Sequence, residues 1–500
     1  MNTTVGWRLS RGSPWPTGSS AGDGSQGSPW DLATALGGGT AGQIAAGDTI
    51  FLRAGTYGTG AETITASVSG SSAAPVLVKP FPGERATLNL TELDITGNHV
   101  WYMNDSVTAP GLIEITRTTP SSTLLANSDG TDLIRMAEAG DGVKLIHLVV
   151  HDAAGVGISP QSETADHEVY GCVVYNNGRS PFLAPTYGHG IYAHGTTTAG
   201  TTRKITNNIL FDQIGYGIHC FADTGNLQNF LIQRNAGFSN GLGNGFDFLV
   251  GGQTSLANAS VTFNRMVRSD GNPVATVGLC EDGDPGAAAA NGTVTDNYFA
   301  GIVTLGNWVS TTLAFQRNTC VGSGVQSLKV LFPGAANFTG YTFGSNTYAA
   351  AINGFGEFAV DINLATTSSE TNYATLAAWT AASGLDSTST FTQAANLGTK
   401  TFLEPSSYVA GRGHLLVHNP TSAATVAVDI SSVVTSGHSY AIYDVYDLWG
   451  TPILTGTYAG GTVAVPMSGT GKTPPAVVSG GFTPTNAHPV IGAYVVLQTA

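Results

Sequence analysis

The 500 residues carry few charges, since Asp, Glu, Lys and Arg make up 10% of the chain, and glycine alone contributes 66 residues. A formal net charge of −14, with no stripe of Lys and Arg, excludes nucleic acid as a partner because phosphate backbones require a basic surface. No stretch reaches the roughly 18 consecutive apolar residues of a membrane span, so we also expect no membrane insertion.

The first 60 residues are predicted to form an N-terminal cap. Residues 28–31 supply a serine N-cap and a proline at the first helical position, which predicts the start of a short helix. The apolar residues between Leu32 and Leu36 suit the covering of an open end of a stack of strands, which would otherwise pair with other chains.

Residues 61–365 contain an internal repeat and are predicted to form a right-handed parallel β-helix. An apolar residue, two variable residues and an asparagine recur at intervals of 21 to 33 residues, which suits one β-helix turn with loops of varying length. We expect each asparagine at the same inward bend, bonded to the asparagines of the turns above and below. At least eight turns are legible between residues 140 and 350. The repeated asparagines are Asn208, Asn235, Asn264, Asn297, Asn318 and Asn346, and Cys172 takes the same place one turn earlier.

The last part of the chain changes character. Residues 366–399 predict a short helix from Tyr373 to Ala382 followed by a Ser/Thr-rich linker. From 400 to 500, short alternating stretches separated by turn residues are typical of antiparallel strands and predict a C-terminal β-sandwich. These stretches are 414–418, 425–429, 440–444 and 462–465.

The start of the repeat region resembles a known superfamily. Residues 47–57, with 75–80 and 82–87, are similar to the opening of bacterial right-handed β-helix proteins of the pectate lyase-like superfamily. Residues 188–192 and 215–219 resemble a bacterial subgroup of it. The resemblance implies the fold and a polysaccharide partner. It does not choose a reaction, because the superfamily includes lyases, hydrolases, epimerases and non-catalytic phage spikes.

A recurring Gly-x-Gly-Ile phrase places candidate catalytic residues. Because side chains alternate along a strand, aligning the phrase predicts one outward column of Ser159, Tyr192, His219 and Asp247, with His194 beside Tyr192. In the mechanism that we infer, Asp247 orients His219, which abstracts the proton beside a uronate carboxylate, while Tyr192 protonates the leaving oxygen. We therefore predict Tyr192, His194, His219 and Asp247 as catalytic. The alternative is that these side chains only bond to their ladder neighbours.

Substrate-binding residues are predicted around this column. A long loop at 178–188 carries Arg179, which can neutralise a carboxylate, and Tyr187, which can stack on a sugar ring. Tyr216, which precedes the strand of His219, is assigned to the same group.

A second cluster is acidic. Glu281, Asp282 and Asp284 follow the predicted strand 275–279. Three interpretations stay open: a glycosidase acid and base, a Ca²⁺ site, or a solvated turn. No other cofactor is predicted.

Together these features predict an extracellular protein that binds and cleaves a polysaccharide, as a lyase or a glycoside hydrolase. The alternative is a non-catalytic virion fibre, spike or decoration protein that binds host surface glycans, for which a homotrimer is expected. A start without the pattern of a signal peptide favours the virion, whereas the loop over the column and the terminal sandwich favour the enzyme.

Overall fold

Short β-strands account for most of the regular secondary structure in the computed structural model of the chain. The described residues contain two α-helices, α1 (Leu32–Leu36) and α2 (Leu376–Ser383), which are five and eight residues long, and neither is long and apolar enough to cross a membrane. The residues that the structure describes are 4–7, 18–40, 42–118, 132–137, 140–161, 166–178, 188–194, 201–221, 227–242, 247–251, 256–268, 275–279, 290–306, 312–322, 326–332, 335–350, 358–362, 370–476 and 483–499.

Three twelve-stranded sheets form the walls of a right-handed parallel β-helix, as predicted. In each turn the chain runs through the first, second and third sheet in order. The first sheet contains Thr4–Trp7, Thr49–Leu52, Val76–Pro80, Val100–Met103, Lys144–Ile146, Glu168–Tyr170, Arg203–Thr206, Phe230–Gln233, Ser260–Thr262, Gly292–Thr295, Leu313–Gln316 and Tyr341–Gly344. The second contains Gly55–Tyr57, Ala86–Asn89, Ile113–Thr116, Val149–His151, Val173–Tyr175, Ile209–Phe211, Ala236–Phe238, Arg265–Val267, Tyr298–Ala300, Thr319–Gly322, Thr347–Ala350 and Thr390–Gln393. The third contains Thr63–Ala66, Glu92–Ile95, Ile134–Met136, Ile158–Pro160, Ile191–His194, Ile218–Phe221, Phe248–Val250, Ala275–Leu279, Ile302–Leu305, Leu328–Leu331, Phe358–Asp361 and Glu370–Tyr373.

The core of the β-helix follows from the alternation of side chains along each strand. In the third sheet Ile158, Ile191, Ile218 and Phe248 lie opposite one another on successive turns, and all are fully buried. Burying one such side chain contributes about 1.5–3 kcal/mol. The residues that alternate with these buried ones along each strand therefore face outward.

The asparagine ladder predicted at the first bend, between the first and second sheets, is confirmed. Oδ1 of Asn235 accepts hydrogen bonds from the backbone N–H (3.0 Å) and Nδ2 (2.9 Å) of Asn208, and its own Nδ2 donates to Oδ1 of Asn264 (3.0 Å). The ladder runs from the backbone N–H of Cys172, which donates to Asn208, to Asn346. These amides are buried, so the ladder satisfies polar groups away from solvent.

Each ladder residue follows a residue in the left-handed region. Asn207, Arg234 and Phe263 have φ of 57°, 59° and 57°. A residue with a side chain is about 1–2 kcal/mol less stable in the left-handed region than in the right-handed one. The hydrogen bonds of the ladder therefore hold a bend that the local chain would not favour by itself.

A second amide ladder, which the sequence analysis missed, lies at the bend between the second and third sheets. Nδ2 of Asn177 donates to Oε1 of Gln213 (3.0 Å), and the backbone N–H of Gln213 lies 3.4 Å from Oδ1 of Asn240. Successive turns approach closely here, because a Cβ on Gly190 would lie 2.7 Å from the carbonyl oxygen of Gly217. A side chain at the second glycine of the Gly-x-Gly-Ile phrase would therefore clash with the next turn, which explains why this position is a glycine.

The N-terminal cap is confirmed, but its helix begins later than predicted. Helix α1 has Asp31 as N-cap, whose carboxylate accepts from the backbone N–H of Thr34 (2.8 Å), so residue 28 is not the cap. Leu36 is fully buried in the β-helix core, and its carbonyl accepts from the backbone N–H of Val68 (2.9 Å). Strand Thr49–Leu52 already belongs to the first sheet, before residue 61.

The far end of the β-helix closes with α2. Trp379 of this helix is fully buried, and its Nε1 donates a hydrogen bond to Oδ2 of Asp386 (2.9 Å). Strand Glu370–Tyr373 precedes α2 and pairs antiparallel with Phe358–Asp361. The predicted linker contributes Thr390–Gln393 to the second sheet, and a 3-10 helix follows at Ala394–Leu397.

The C-terminal antiparallel sandwich is confirmed. A two-stranded sheet packs against a five-stranded one, and apolar side chains such as Val428 and Val496 share one buried cluster between them. A 3-10 helix spans Val445–Asp447. The five-stranded sheet has the order Lys400–Pro405, Arg412–His418, Ile491–Gln498, Ser439–Asp444 and Leu454–Thr457, and the two-stranded sheet pairs Thr425–Asp429 with Thr462–Pro466.

The sandwich packs on the outer face of the second sheet. Ile209 and Phe211 of that sheet lie in one buried cluster with Leu416 and Val495 of the sandwich. The outward residues of the second sheet are thus used for domain packing.

Candidate active site

Outward residues of the third sheet form the predicted column in part. Ile158 lies opposite Ile191, so Ser159 and Tyr192 follow one another, and Tyr192 lies directly opposite His219. The rings of Tyr192 and His219 stack with centroids 5.1 Å apart and an interplanar angle of 29°. The structure therefore brings these three side chains together on consecutive turns.

Asp247 was wrongly placed in this column, because Leu249 lies opposite His219. The carbonyl of Asp247 accepts from the backbone N–H of Ile218 (3.1 Å), a position that Gly217 takes one turn earlier. Its buried carboxylate accepts from the backbone N–H of Asn240 (3.2 Å). Asp247 therefore takes the place of the second glycine of the Gly-x-Gly-Ile phrase. The alignment of this turn by sequence was two residues out of register.

His219 is not the exposed side chain that an outward position suggests. Only 5% of it is accessible, because three aromatic rings surround it besides Tyr192. Ring centroids of Tyr216, His189 and Phe221 lie 4.5, 4.6 and 5.0 Å from that of His219. Tyr216, which the sequence predicted to bind substrate, thus contacts His219. Its ring also stacks on that of His189, with the centroids 4.8 Å apart.

Hydrogen bonds fix the proton of His219. The backbone N–H of Tyr216 donates to Nδ1 of His189 (3.0 Å), so this nitrogen carries a lone pair. The proton of the neutral His189 ring then lies on Nε2, which is 3.1 Å from Nδ1 of His219 and donates to it. A neutral His219 therefore holds its own proton on Nε2. These contacts favour a donor role for His219 over the predicted role as base.

A hydrogen-bonded polar cluster, missed by the sequence analysis, lies beside Ser159. Nε of Arg135 donates to Oε1 of Gln161 (2.8 Å), and Nε2 of Gln161 donates to Oδ2 of Asp132 (2.6 Å) and Oγ of Ser159 (3.1 Å). A guanidinium can only donate, so it fixes the orientation of the amide. Gln161 must therefore present its nitrogen to Asp132.

Asp132 has an environment that keeps a proton on it near neutral pH. It is 8% exposed, and burial with the neighbouring Glu92 carboxylate raises the pKa of Asp132 to about 7. Hydrogen bonds from Ser159 and Gln161 and the charge of Arg135 lower this pKa in part. Burial, assisted by Asp94, also raises the pKa of Glu92.

Two carboxyl groups in contrasting environments are what acid–base cleavage of a glycosidic bond requires. Glu92 is half-buried, and its negative charge helps Asp132 to retain a proton. The guanidinium of Arg135, 37% exposed, lies 3.6 Å from Asp94. The half-exposed ring of Tyr192 offers an aromatic surface on the same column, two turns from Arg135.

Several predicted residues cannot be placed. Arg179, Tyr187 and the acidic residues Glu281, Asp282 and Asp284 lie outside the described residues. The backbone of His194 lies opposite Phe221. Among the described residues no group of three or more His, Cys, Asp or Glu side chains is arranged to hold a metal ion.

The missed residues had a weak sequence signal. Arg135, like the predicted Ser159, lies between inward residues of a three-residue strand, and this alternation marks it as outward. Asp132 precedes its strand, and Gln161 follows the next one along the chain. Because Asp132 and Gln161 lie just beyond strand ends, the alternation of side chains within strands does not predict where they point.

No family model matches the chain, and no curated protein matches it. Solved structures similar to it include pectate lyase Pel9A (16% identity, 70% of this chain and 76% of that chain, TM-score 0.37), an alginate lyase from Paenibacillus sp. (13%, 66% and 95%, 0.34) and a rhamnogalacturonan lyase (11%, 72% and 86%, 0.45). At these values the likeness carries no argument about a reaction, and the β-helix rests on the strand register of this chain.

Proposed function

We propose that this protein is an extracellular glycoside hydrolase that cleaves a polysaccharide on its third sheet. The observation that carries the proposal is the pairing of buried Asp132, with its pKa near 7, and half-buried Glu92 beside it. A polymer cannot enter a cell intact, so an enzyme of this kind acts outside it.

In the proposed reaction Asp132 is the general acid. It protonates the glycosidic oxygen as the bond to the anomeric carbon breaks, while the Glu92 carboxylate either activates a water that attacks that carbon or attacks it directly. In the first case Glu92 takes a proton from the water, and that proton returns through solvent to Asp132. In the second case Asp132 deprotonates a water that breaks the bond between Glu92 and the sugar, which gives Asp132 its proton back. Gln161 and Ser159 hold the carboxyl of Asp132 in place.

The aromatic column supports binding in this proposal. The exposed part of Tyr192 packs against a sugar ring, and His219 stacks on Tyr192 and fixes its position. Elimination with His219 as base, the mechanism inferred from sequence, has less support because Nδ1 of His219 accepts a hydrogen bond from His189.

Cleavage of a polysaccharide panel tests the proposal. The purified chain is incubated with neutral and uronic-acid polymers, and new reducing ends are measured together with the ultraviolet absorbance of unsaturated products. We expect reducing ends without that absorbance. Absorbance that rises in step with the reducing ends would establish elimination instead. Silence across the panel, with a stable trimer in solution, would favour the virion alternative.

A further inference from the structure

A depression of about 340 Å³ lies where the first bend of the β-helix meets the C-terminal sandwich. One side comes from three successive turns of the β-helix, and the other from the first strand of the sandwich, Lys400–Pro405. We call it the junction pocket. Its lining includes Phe263, Arg265, Asp296, Arg317, Lys400 and Phe402.

The junction pocket is positively charged within an acidic protein. Three cations and one carboxylate line it, a formal charge of +2, whereas the chain has 33 acidic and 19 basic residues. Arg317 is neutralised by Asp296 through two hydrogen bonds of 2.8 Å. The excess charge therefore comes from Arg265 and Lys400.

These two cations differ in how they are held. Arg265 donates to the carbonyls of Asn264 (3.1 Å) and Asp296 (2.6 Å), and its guanidinium lies over the ring of Phe402 at 4.6 Å. Lys400 is half-exposed and forms no ion pair with any residue in the described part of the chain. Arg265, which is held in place, and Lys400, which has no ion-pair partner among the described residues, line the same pocket and can together bind an anionic group.

The aromatic lining suggests what carries that anionic group. Phe263 and Phe402 are both half-exposed and lie on opposite sides of the junction between the two domains. The apolar face of a sugar ring packs on such rings, while a free inorganic anion gains nothing from them. Charge and aromatic surface together fit a charged sugar better than either a neutral sugar or phosphate.

We propose that the junction pocket binds a sugar unit that carries a carboxylate or a sulfate ester, with the anionic group between Lys400 and Arg265 and the ring against Phe402. The pocket is separate from the third-sheet site, so it serves as an accessory contact for a polymer. The inference rests on the proposed function only in taking the ligand to be a polysaccharide.

Binding of short oligosaccharides tests this directly. Calorimetric titrations use tetragalacturonate, a sulfated tetrasaccharide without carboxylates, and neutral cellotetraose, all with Asp132→Asn protein so that nothing is cleaved. We expect one or both anionic probes to bind more tightly than cellotetraose, and more weakly as salt is raised. Lys400→Gln should weaken that binding about fivefold or more, and Lys400→Arg should restore it.

Lys204→Gln is the matched control, because Lys204 is a half-exposed lysine of the first sheet outside the pocket. It should leave the affinity unchanged. Equal affinity for cellotetraose, no effect of Lys400→Gln, or no binding of either anionic probe would overturn the inference. Because binding is read without turnover, failure of the hydrolase proposal leaves this result interpretable, and the reverse also holds.

Discussion

Nε2 of His189 lies 3.1 Å from Nδ1 of His219, and the direction of this hydrogen bond is set by a third residue. The backbone N–H of Tyr216 occupies the other nitrogen of His189. A backbone donor thus selects the tautomers of two neighbouring imidazoles, whose rings meet edge to face. The proton of His219 is consequently held on Nε2.

Nitrogen NMR of the histidine rings checks this relationship. We expect His189 and His219 both in the Nε2–H form at neutral pH, because each Nδ1 accepts a hydrogen bond. His189→Phe removes the donor, so His219 should then show a mixture of tautomers. The exposed His438 is the internal control and should keep its signals in the variant. Finding His219 in the Nδ1–H form would contradict the assignment and reopen its role as base.

Asp132→Asn should lower the rate of polysaccharide cleavage at least about a hundredfold, since general acid catalysis contributes at least that much. The acid works only while protonated, and burial raises the pKa of Asp132 to about 7. Activity should therefore fall as the pH rises through about 7. Rate profiles of kcat/KM against pH measure this limb, and a rate that instead rises through pH 7 would mean that Asp132 acts as a base.

Gln161→Leu separates positioning from simple structural damage. The hydrogen bond from Gln161 lowers the pKa of Asp132, so its removal should move the upper limb of the pH profile to higher pH. A purely structural role would reduce the rate at every pH and leave the limb in place. Thr304→Ala, on the same column several turns away, is the matched control and should leave the profile unshifted.

The parts that the sequence predicted are those in which one turn repeats the next. The ladder through Asn235 and Asn264 is legible because every turn needs the same amide at the same bend. Asp247 was misplaced because it stands where the preceding turns have glycine, which removed the landmark of the alignment. Asp132 was missed because its pairing with Gln161 depends on two strand ends 29 residues apart, which no local pattern encodes.

Asn235→Ala tests the ladder. The substitution removes the acceptor of the backbone N–H of Asn208 and one of the two acceptors of its Nδ2, and it removes one donor to Oδ1 of Asn264. Because these groups lie in a buried bend, the free energy of unfolding should fall by about 1–3 kcal/mol. Urea denaturation followed by circular dichroism measures the change. Thr293→Ala, an exposed first-sheet position, should be neutral within about 0.5 kcal/mol. Equal stability of the two variants would refute a structural role for the ladder.

Two buried histidines, His147 and His414, and the half-buried His418 join the sandwich to the β-helix, and acid should loosen this junction. His147 bonds to Ser406 (3.0 Å), His414 to the carbonyl of Asn207 (2.8 Å) and His418 to the hydroxyl of Tyr298 (2.7 Å). Burial lowers the pKa of all three, to about 3 for His414 and about 4 for His418. Protonation is therefore much easier in the unfolded chain than in the folded one.

A folded-state pKa below the unfolded value of about 6.5 means that the stabilisation is complete above pH 6.5 and is lost as the pH falls towards 4. Each such histidine lowers the free energy of unfolding by at most about 1.4 kcal/mol per pH unit across that window. Thermal unfolding at pH 7, 6, 5 and 4 should show a shallower acid loss for His414→Gln and His418→Gln than for the parent. The exposed His438→Gln serves as control and should follow the parent curve, because its ring is hydrated in both states. Parallel curves for all four proteins would mean that these imidazoles are protonated in the folded junction as readily as in the unfolded chain.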